Sequence, residues 1–289
     1  MPAIDINRGT SGIALPVEVS NEIWGAAVEQ SFFMSAARQI RMPGTGIAVQ
    51  TITGDPIADW VDETAPKPVS ATDFDKKTLV PYKLAVIEPF STEFLRDLPA
   101  LYEELRRRLA GALAAKFDAT IMGTTAPGTG FDVLGGATAV GIGGTDVYGA
   151  LVTAEGNIAT AGGIATHIGL APQGRSLMLG AVDQMGHPLF TQGVSSASVG
   201  TVLGAETMTA RALYKAGTPN VVGVIGDFSR AVWGSVEGVQ ISVSDQAMLV
   251  INNAPVSLWQ QNMVAVRAEI SVAFGVEDTG LFNILTDAQ

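Results

Sequence analysis

The chain has 289 residues, of which 47% are hydrophobic and only 16% charged, and its formal net charge is −11. Electrostatic nucleic-acid binding needs clustered Lys and Arg that neutralise phosphates, so this acidic balance argues against that class. Cys is absent, which excludes disulfides and thiolate metal sites. Low charge combined with high apolar content indicates that partners cover much of the surface.

The N-terminal residues carry no targeting signal. Residues 1–16 contain Gly9, Gly12 and Pro16 and follow no helix or strand period, which predicts an extended arm. No basic region followed by an apolar run occurs there, so we expect no signal peptide. The uncharged stretch 156–174 is interrupted by Gly, Asn, His and Pro and cannot span a membrane. We therefore expect a soluble, intracellular protein without a membrane partner.

The first regular element is predicted to begin near Val17. From there the apolar residues follow a helical spacing and share one face, namely Ile23, Trp24, Ala27, Val28 and Phe32. Residues 38–42 then lead into the sequence Pro43-Gly44-Thr45-Gly46, which is typical of a turn.

Residues 47–86 predict a long hairpin arm. Residues 47–52 have the composition of a strand, and alternating apolar residues between Val80 and Val86 indicate a second. The polar, proline-containing sequence between them has too few apolar residues for a core of its own. Because an isolated two-stranded ribbon is at best marginally stable in water, we expect a neighbouring subunit to hold the arm.

The stretch from Asp97 to about Met122 predicts one long helix of roughly 35–40 Å. Its apolar residues recur at steps of three and four, and they are Leu98, Leu101, Leu105, Leu109, Ala112, Leu113, Phe117 and Ile121. Charged residues fill the other positions, and they are Glu103, Glu104, Arg106, Arg107, Arg108, Lys116 and Asp118. Asp97 suits the N-cap and Gly123 the end of the helix.

The remaining sequence predicts mixed α/β structure. Residues 146–161 are expected to be helical, and 201–204 and 221–226 to be buried strands. The strongest strand pattern covers Val264 to Val276, where alternate residues are apolar and Arg267 points to the opposite face. This strand matches the long helix in length, so its apolar face is expected to pack against it.

Several segments, taken in this order, resemble the major capsid proteins of tailed bacteriophages with the HK97-type fold. Residues 58–64 resemble the Trp-Val-x-Glu stretch of that family's extended loop, and 78–85 the returning strand. Residues 91–97 resemble the segment that leads into the family's spine helix. The other similar segments are 185–190 and 226–231 in the axial domain and 264–285 at the C-terminus.

The resemblance implies an α+β HK97-like fold with a long spine helix and a peripheral β-sheet. An extended β-hairpin loop and a mixed α/β axial domain would complete it. It places an N-terminal arm at 1–16, an extended loop at 46–87 and an axial domain at 131–261. The discontinuous peripheral domain would comprise 17–45, 88–130 and 262–289.

The function implied by the resemblance is that of a shell protein without enzymatic activity or cofactor. Copies would assemble through hexamers and pentamers into an icosahedral virion capsid, built in the bacterial host cytoplasm, that encloses double-stranded DNA without reading its sequence. A separate scaffolding protein, a portal and a decoration protein would be the other partners. The alternatives are an encapsulin-like nanocompartment shell protein and, more remotely, a cytosolic α/β enzyme or binding protein.

The candidate functional residues are those predicted to contact a neighbouring subunit, namely Trp60, Glu63, Lys67, Phe74, Lys76, Lys77, Arg106, Arg107 and Arg108. Trp60 and Phe74 are either stray exposed aromatics or anchors on a neighbour, and we favour anchors because aromatics dominate contact energies. The three arginines either face acidic groups of a neighbour or nucleic acid, or form a solvated helix face with Glu103 and Glu104.

No catalytic or metal-binding constellation is predicted. His167 and His187 are the only histidines and lack carboxylates at ligand spacing, which favours packing or loop roles. A few proteins of the resembled family join subunits through a Lys–Asn isopeptide bond. Lys67, Lys76 and Lys77 lie in the predicted arm and Asn283 near the C-terminus, but no motif assigns them to that chemistry.

Overall fold

The structure is a computed structural model that describes residues 25, 27–28, 30–53, 60–61, 73–92, 98–182, 187, 190, 200–251 and 253–288. Within these ranges, residues 49–53, 73–75 and 98–107 are described by their backbone alone. The predicted helical pattern between Val17 and Trp24 and the predicted extended arm at 1–16 lie outside the described residues.

The described chain combines four α-helices with fifteen strands. The helices are α1 (Phe32–Ala36), α2 (Leu98–Ile121), α3 (Val147–Thr160) and α4 (Pro172–Leu179). The first strands are β1 (Arg38–Arg41), β2 (Ile47–Thr53), β3 (Asp73–Leu79), β4 (Tyr82–Ser91), β5 (Thr138–Gly141), β6 (His167–Leu170), β7 (Thr201–Val202) and β8 (Ala205–Thr209). The remaining strands are β9 (Val221–Gly226), β10 (Ala231–Ser235), β11 (Gln240–Ser244), β12 (Met248–Ile251), β13 (Ala254–Ser257), β14 (Met263–Val276) and β15 (Phe282–Thr286).

The first sheet has five strands and is built around β14. Strand β4 pairs antiparallel with one edge of β14 over residues 263–272. Strands β10 and β11 both pair antiparallel with the other edge, and β1 runs parallel to β10 on the outside. The long strand predicted from alternation is therefore confirmed, and three of the other four strands of this sheet pair with it directly.

Helix α2 packs on this sheet and confirms the predicted helix within two residues at each end. At 1.5 Å per residue its 24 residues span about 36 Å. Leu109, Leu113 and Phe117 are buried in one cluster with the alternate apolar residues of β14. The rings of Phe117 and Phe274 meet edge to face with centroids 6.3 Å apart. Burying each such side chain contributes roughly 1.5–3 kcal/mol, so this contact stabilises the first sheet.

Two positions on α2 differ from the predicted pattern. Ala112, predicted on the apolar face, is exposed. Asp118, predicted on the solvated face, is buried with 1% of its surface exposed. The reason is that α1 lies over the last turns of α2, and the carboxylate bonds to the start of α1. A second element thus covers a face that the helical period alone assigns to solvent.

The second sheet has six strands in the order β5-β15-β9-β6-β8-β7. The expected helix at 146–161 is present as α3, and its Leu151 and Ile158 share a core with Ile225 of β9 and Leu285 of β15. β5 pairs parallel with β15 at one edge of this sheet. The second sheet includes β15, from the range that the resemblance assigns to the peripheral domain, whereas β10 and β11, from the axial range, lie in the first sheet.

Two antiparallel strands lie in the region predicted as the hairpin arm, but the second of them differs from the prediction. β2 pairs antiparallel with β3, so that Ile47 lies opposite Leu79 and Thr53 opposite Asp73. The alternating residues from Val80 to Val86 do form a strand, yet that strand is β4 in the first sheet. Its apolar face, including Leu84 and Val86, is half-buried and packs against the main core, which is why the strand pairs with β14 rather than with β2.

Candidate functional site

The β2–β3 hairpin contains or flanks most of the predicted contact residues. Trp60 is described and its side chain is 100% exposed. Lys76 is also exposed, whereas Phe74 is described by its backbone alone, as part of β3. Glu63 and Lys67 lie outside the described residues. Of the two aromatics that the sequence singles out, Trp60 is therefore fully accessible to a partner.

Lys77 bonds within its own chain. Its Nζ lies 2.6 Å from Oδ2 of Asp132 and donates to the carbonyl oxygen of Val276 at 2.7 Å. Asp132 Oδ2 also accepts the backbone N–H of Val276 at 2.8 Å. The ion pair thus joins the arm, the loop after α2 and the end of β14 at one point. These bonds lie within the chain, and the contact predicted for Lys77 with a neighbouring subunit stays a prediction.

The arm root, which we define as residues 77–82, is held at three further points. Leu79 is 1% exposed and packs with Met42 and Ala273. The Val80 N–H donates to the Gly130 carbonyl at 3.0 Å, and the Tyr82 hydroxyl donates to the Thr129 carbonyl at 2.7 Å. The body of the protein therefore fixes the direction in which the arm leaves it.

Glycine makes this close approach at the arm root possible. Gly130 has φ +80°, and a Cβ there would lie 2.7 Å from the Thr78 carbonyl oxygen. Gly46, at the start of the arm, has φ +89°, and a Cβ there would lie 2.5 Å from the Leu79 carbonyl oxygen. Both positions combine a left-handed backbone with backbone-to-backbone contact, which only glycine adopts without strain.

The predicted arginine cluster is only partly described. Arg106 and Arg107 lie within α2 with backbone alone described, so their predicted contacts stay predictions. Arg108 is exposed and its Nη1 lies 2.9 Å from Oε1 of Glu88 on β4. This arginine thus bonds to a carboxylate on β4 that its own helix does not supply.

A buried carboxylate joins α1 to α2. Asp118 Oδ1 accepts the Ser31 hydroxyl at 2.6 Å, and Oδ2 accepts the Phe32 N–H at 2.9 Å. Ser31 is itself the N-cap of α1 and accepts the Met34 N–H. Burial raises the pKa of Asp118 to about 6, although its hydrogen bonds to Ser31, Phe32 and Phe33 act in the opposite direction.

The histidines and Asn283 have structural surroundings. The ring of His167 lies edge to face on Phe228 with centroids 5.8 Å apart, which agrees with the predicted packing role. His187 is exposed. Asn283 is fully buried, donates to the Ala154 carbonyl and accepts from Asn157, so it is inaccessible to a lysine of another chain. Among the described residues, no three His, Cys, Asp or Glu side chains are grouped as a metal site.

The helices of the described ranges include none that is long and apolar enough to cross a lipid bilayer. Sequence reasoning missed Asp118 and Asp132, and no local signal could have identified them, since each acts on a segment far away along the chain. It also gave no attention to the apolar residues of β12 and of the turn after β13. Their signal, a long run without charge, was available in the sequence.

The sequence model of the Phage capsid family matches residues 11–287. Two curated proteins named probable major capsid protein gp17 are similar over most of their length. The one from Mycobacterium phage D29 is 31% identical, with 94% of this chain and 90% of the relative covered. The one from Mycobacterium phage L5 is 34% identical, with 94% and 89% covered. The chain therefore belongs to the phage capsid family.

Solved structures support the same fold. A chain from Gordonia phage Cozz superposes with a TM-score of 0.72 and 20% identity, covering 89% of this chain and 86% of that one. A chain from Mycobacterium phage Adephagia gives 0.68 and 23%, covering 89% of each. A chain of the capsid of a native GTA particle, computed with C5 symmetry, gives 0.63 and 15%, covering 98% and 95%. At these identities the likeness concerns the mixed α+β fold.

Proposed function

We propose that this chain is a major capsid protein with an HK97-like fold, whose copies assemble through hexamers and pentamers into the icosahedral shell of a bacteriophage. One observation carries the proposal beyond family membership. The β2–β3 arm is a two-stranded sheet whose strands pair only with each other among the described residues, and Trp60 next to it is fully exposed. Such a ribbon needs a cover, and another copy supplies it.

In this proposal α2 is the spine helix and β14 the long strand of the peripheral domain. The extended loop corresponds to about residues 46–80 rather than 46–87, because β4 belongs to the first sheet. The axial domain takes most of 131–261 together with β15. The peripheral domain takes 17–45, 81–130 and the rest of 262–289, with β10 and β11 added from the axial range.

The contact surface of the arm is proposed to centre on Trp60, with Glu63, Lys67, Phe74 and Lys76 around it. An exposed aromatic in a polar ribbon loses the most water-accessible apolar surface when a neighbour covers it. Lys77 has a different role in this proposal, because its bonds to Asp132 and Val276 direct the arm. Arg106 and Arg107 remain candidates for a contact with acidic groups of a neighbour.

The proposal also includes partners other than further copies of this chain. A separate scaffolding protein would guide assembly in the host cytoplasm, a portal would occupy one vertex and a decoration protein would bind the outside. The shell would enclose double-stranded DNA without specific contacts. A net charge of −11 supports this, since an acidic wall repels phosphates and keeps the genome from adhering. The role is structural, and the family gives no support for an enzymatic step.

Electron microscopy of the expressed chain tests the proposal. Closed isometric particles are the expected product, and particles from infected cells should contain nuclease-protected DNA. Protein cargo in place of DNA would indicate a nanocompartment instead. A dilute, monodisperse monomer with residues 46–80 packed on its own body would overturn the proposal.

A further inference from the structure

A cavity of about 190 Å³ lies between helix α2 and strand β4, beside the arm root. Its apolar walls come from four parts of the fold, namely Tyr82 and Leu84 of β4, Phe117 of α2, Phe131 of the loop after α2 and Val272 of β14. An apolar protein cavity of about 150 Å³ stays dry and binds benzene. This α2–β4 cavity is therefore large enough for one aromatic ring and a short substituent.

Three aromatic side chains form the inner walls of the α2–β4 cavity. The ring of Phe131 meets that of Tyr82 with centroids 6.3 Å apart and that of Phe117 with centroids 6.2 Å apart, both edge to face. Phe117 and Phe131 are at most 6% exposed, so packing fixes their positions before a ligand enters. A planar aromatic ligand would add further edge-to-face or offset contacts to these rings, at little cost in conformational entropy.

The rim of the α2–β4 cavity is basic. Lys116 and Thr120 lie one helical turn apart on α2, and both line the cavity. Within the described residues the Lys116 ammonium makes no ion pair, whereas the ammonium of Lys83, also at the cavity, lies 3.4 Å from Glu269. No described residue that lines the cavity is acidic, although the chain has 28 Asp and Glu. A ligand carboxylate at this rim would therefore find a cation and no competing acid.

We propose that the α2–β4 cavity binds a small aryl carboxylate, whose ring enters the cavity and whose carboxylate pairs with Lys116. The inference goes beyond the proposed function and does not depend on the formation of a shell. Tyr82 belongs to the arm root. Phe131 directly follows Gly130, whose carbonyl accepts the Val80 N–H. A bound ring packs against both aromatic side chains, so it also restrains the start of the arm.

Phenylacetate and its uncharged isostere phenylacetamide test the site. Isothermal titration of dissociated subunits should give a dissociation constant of about 0.1–1 mM for phenylacetate, the range of a good ligand with about ten heavy atoms. Phenylacetamide should bind about fivefold more weakly, because it fills the same volume without an ion pair at a partly exposed rim. Hydrogen exchange of the Val80 amide should slow when phenylacetate binds.

Three variants separate the charge from the cavity. Lys116→Met keeps the aliphatic stem and removes the ammonium, so it should weaken phenylacetate about fivefold and leave phenylacetamide unchanged. Lys215→Met is the charge-matched control, since Lys215 is exposed and does not line the cavity. It should keep both natural affinities. Thr120→Phe should place a ring in the mouth of the cavity and abolish binding of both compounds, and circular dichroism should show that each variant is folded.

Four results in dissociated subunits would overturn the inference. They are no binding of phenylacetate at about 10 mM, equal affinities of the natural chain for the acid and the amide, natural phenylacetate affinity in Lys116→Met, and binding retained by Thr120→Phe. Titration of purified shells tests a different occupant. Phenylacetate that binds subunits but not shells would mean that a side chain of another copy fills the cavity, and would also overturn it. Failure of the natural chain to form shells would count against the proposed function alone.

Discussion

Asp118 Oδ1 accepts a hydrogen bond of 2.6 Å from the hydroxyl of Ser31, 87 positions earlier in the chain. Ser31 caps α1 and Asp118 lies in the last turn of α2, so one carboxylate fixes the start of a short helix on the end of a long one. Phe32 and Phe33 follow directly, and they pack on Phe228 and Phe274. This junction places the segment before the arm on the main core.

The first prediction concerns the pH dependence of this junction. The pKa of Asp118 is raised from its ordinary 3.8 to about 6, so the folded state holds the proton more tightly than the unfolded state does. Its contribution to the free energy of unfolding is therefore largest below about pH 4 and is lost as pH rises toward 6, by up to about 3 kcal/mol.

Asp118→Asn should remove this dependence. Denaturant unfolding of dissociated subunits at pH 4 and pH 7, for the natural chain and the variant, measures the difference. Asp245→Asn, at an exposed carboxylate away from the junction, is the matched control and should keep the natural profile. Identical pH profiles for Asp118→Asn and the natural chain would show that the carboxyl does not titrate as described.

The second prediction concerns the arm root. Lys77→Met should remove the ion pair to Asp132 and the bond to the Val276 carbonyl, and so loosen the arm. Because the pair is partly exposed, the loss of global stability should be only about 0.5–1 kcal/mol. Hydrogen exchange of the β2–β3 amides should accelerate, while that of β14 should not change.

Lys215→Met is the charge-matched control for the arm root, since Lys215 is an exposed lysine beside β9, away from the arm. It should leave hydrogen exchange of β2–β3 as in the natural chain. Equal exchange in the two variants would mean that the ion pair does not hold the arm.

The third prediction tests Trp60 as an anchor. Trp60→Ala should lower the yield of shells by at least about tenfold, because hot-spot aromatics contribute about 2 kcal/mol or more to a contact. Circular dichroism and the melting temperature of dissociated subunits should stay unchanged, since the side chain is fully exposed. Trp60→Phe should retain part of the yield. Sedimentation of assembly reactions measures the yield of shells. A yield from Trp60→Ala equal to that of the natural chain would contradict the role of Trp60 as an anchor.

The fourth prediction tests the contact between helix and long strand. Phe274 is fully buried and its ring meets Phe33, Phe117 and Phe131. Phe274→Ala should lower the free energy of unfolding by about 3–5 kcal/mol, because a large cavity remains. Phe274→Leu should lose clearly less. Chemical denaturation of dissociated subunits measures the free energy of unfolding of each variant. A smaller loss for Phe274→Ala than for Phe274→Leu would contradict the central place of Phe274 in the core.

Elements with a strong local period could be predicted from sequence, and their partners could not. The spacing of Leu109, Leu113 and Phe117 identifies α2, and alternation from Val264 identifies β14, because each pattern reports one buried face. Strand β3 has the sequence DFDKKTL, in which charged residues conceal the alternation. The sequence therefore predicts that β2 pairs with the more apolar β4, whereas β4 pairs with β14 and packs against the main core.

The candidate site likewise contains some residues whose surroundings the sequence could predict and others whose bonds it could not. Trp60 could be singled out because an aromatic in a polar segment is unusual, and the structure leaves it fully exposed. The bonds of Lys77 and Asp118 could not be predicted, since their partners lie far away along the chain. Asp132 is 55 positions from Lys77, and Ser31 is 87 positions from Asp118. A charged residue in a helix or strand pattern is assigned to solvent unless tertiary structure covers it.

The place of β15 has a consequence for synthesis. Phe282–Thr286 lies between β5 and β9, and β9 leads on to the rest of the second sheet. A nascent polypeptide lacking these five residues leaves two strand edges without their shared partner, so this sheet closes only after translation has passed Thr286. Prematurely terminated products would then be unable to fold fully and to enter growing particles, which protects the lattice from defective copies.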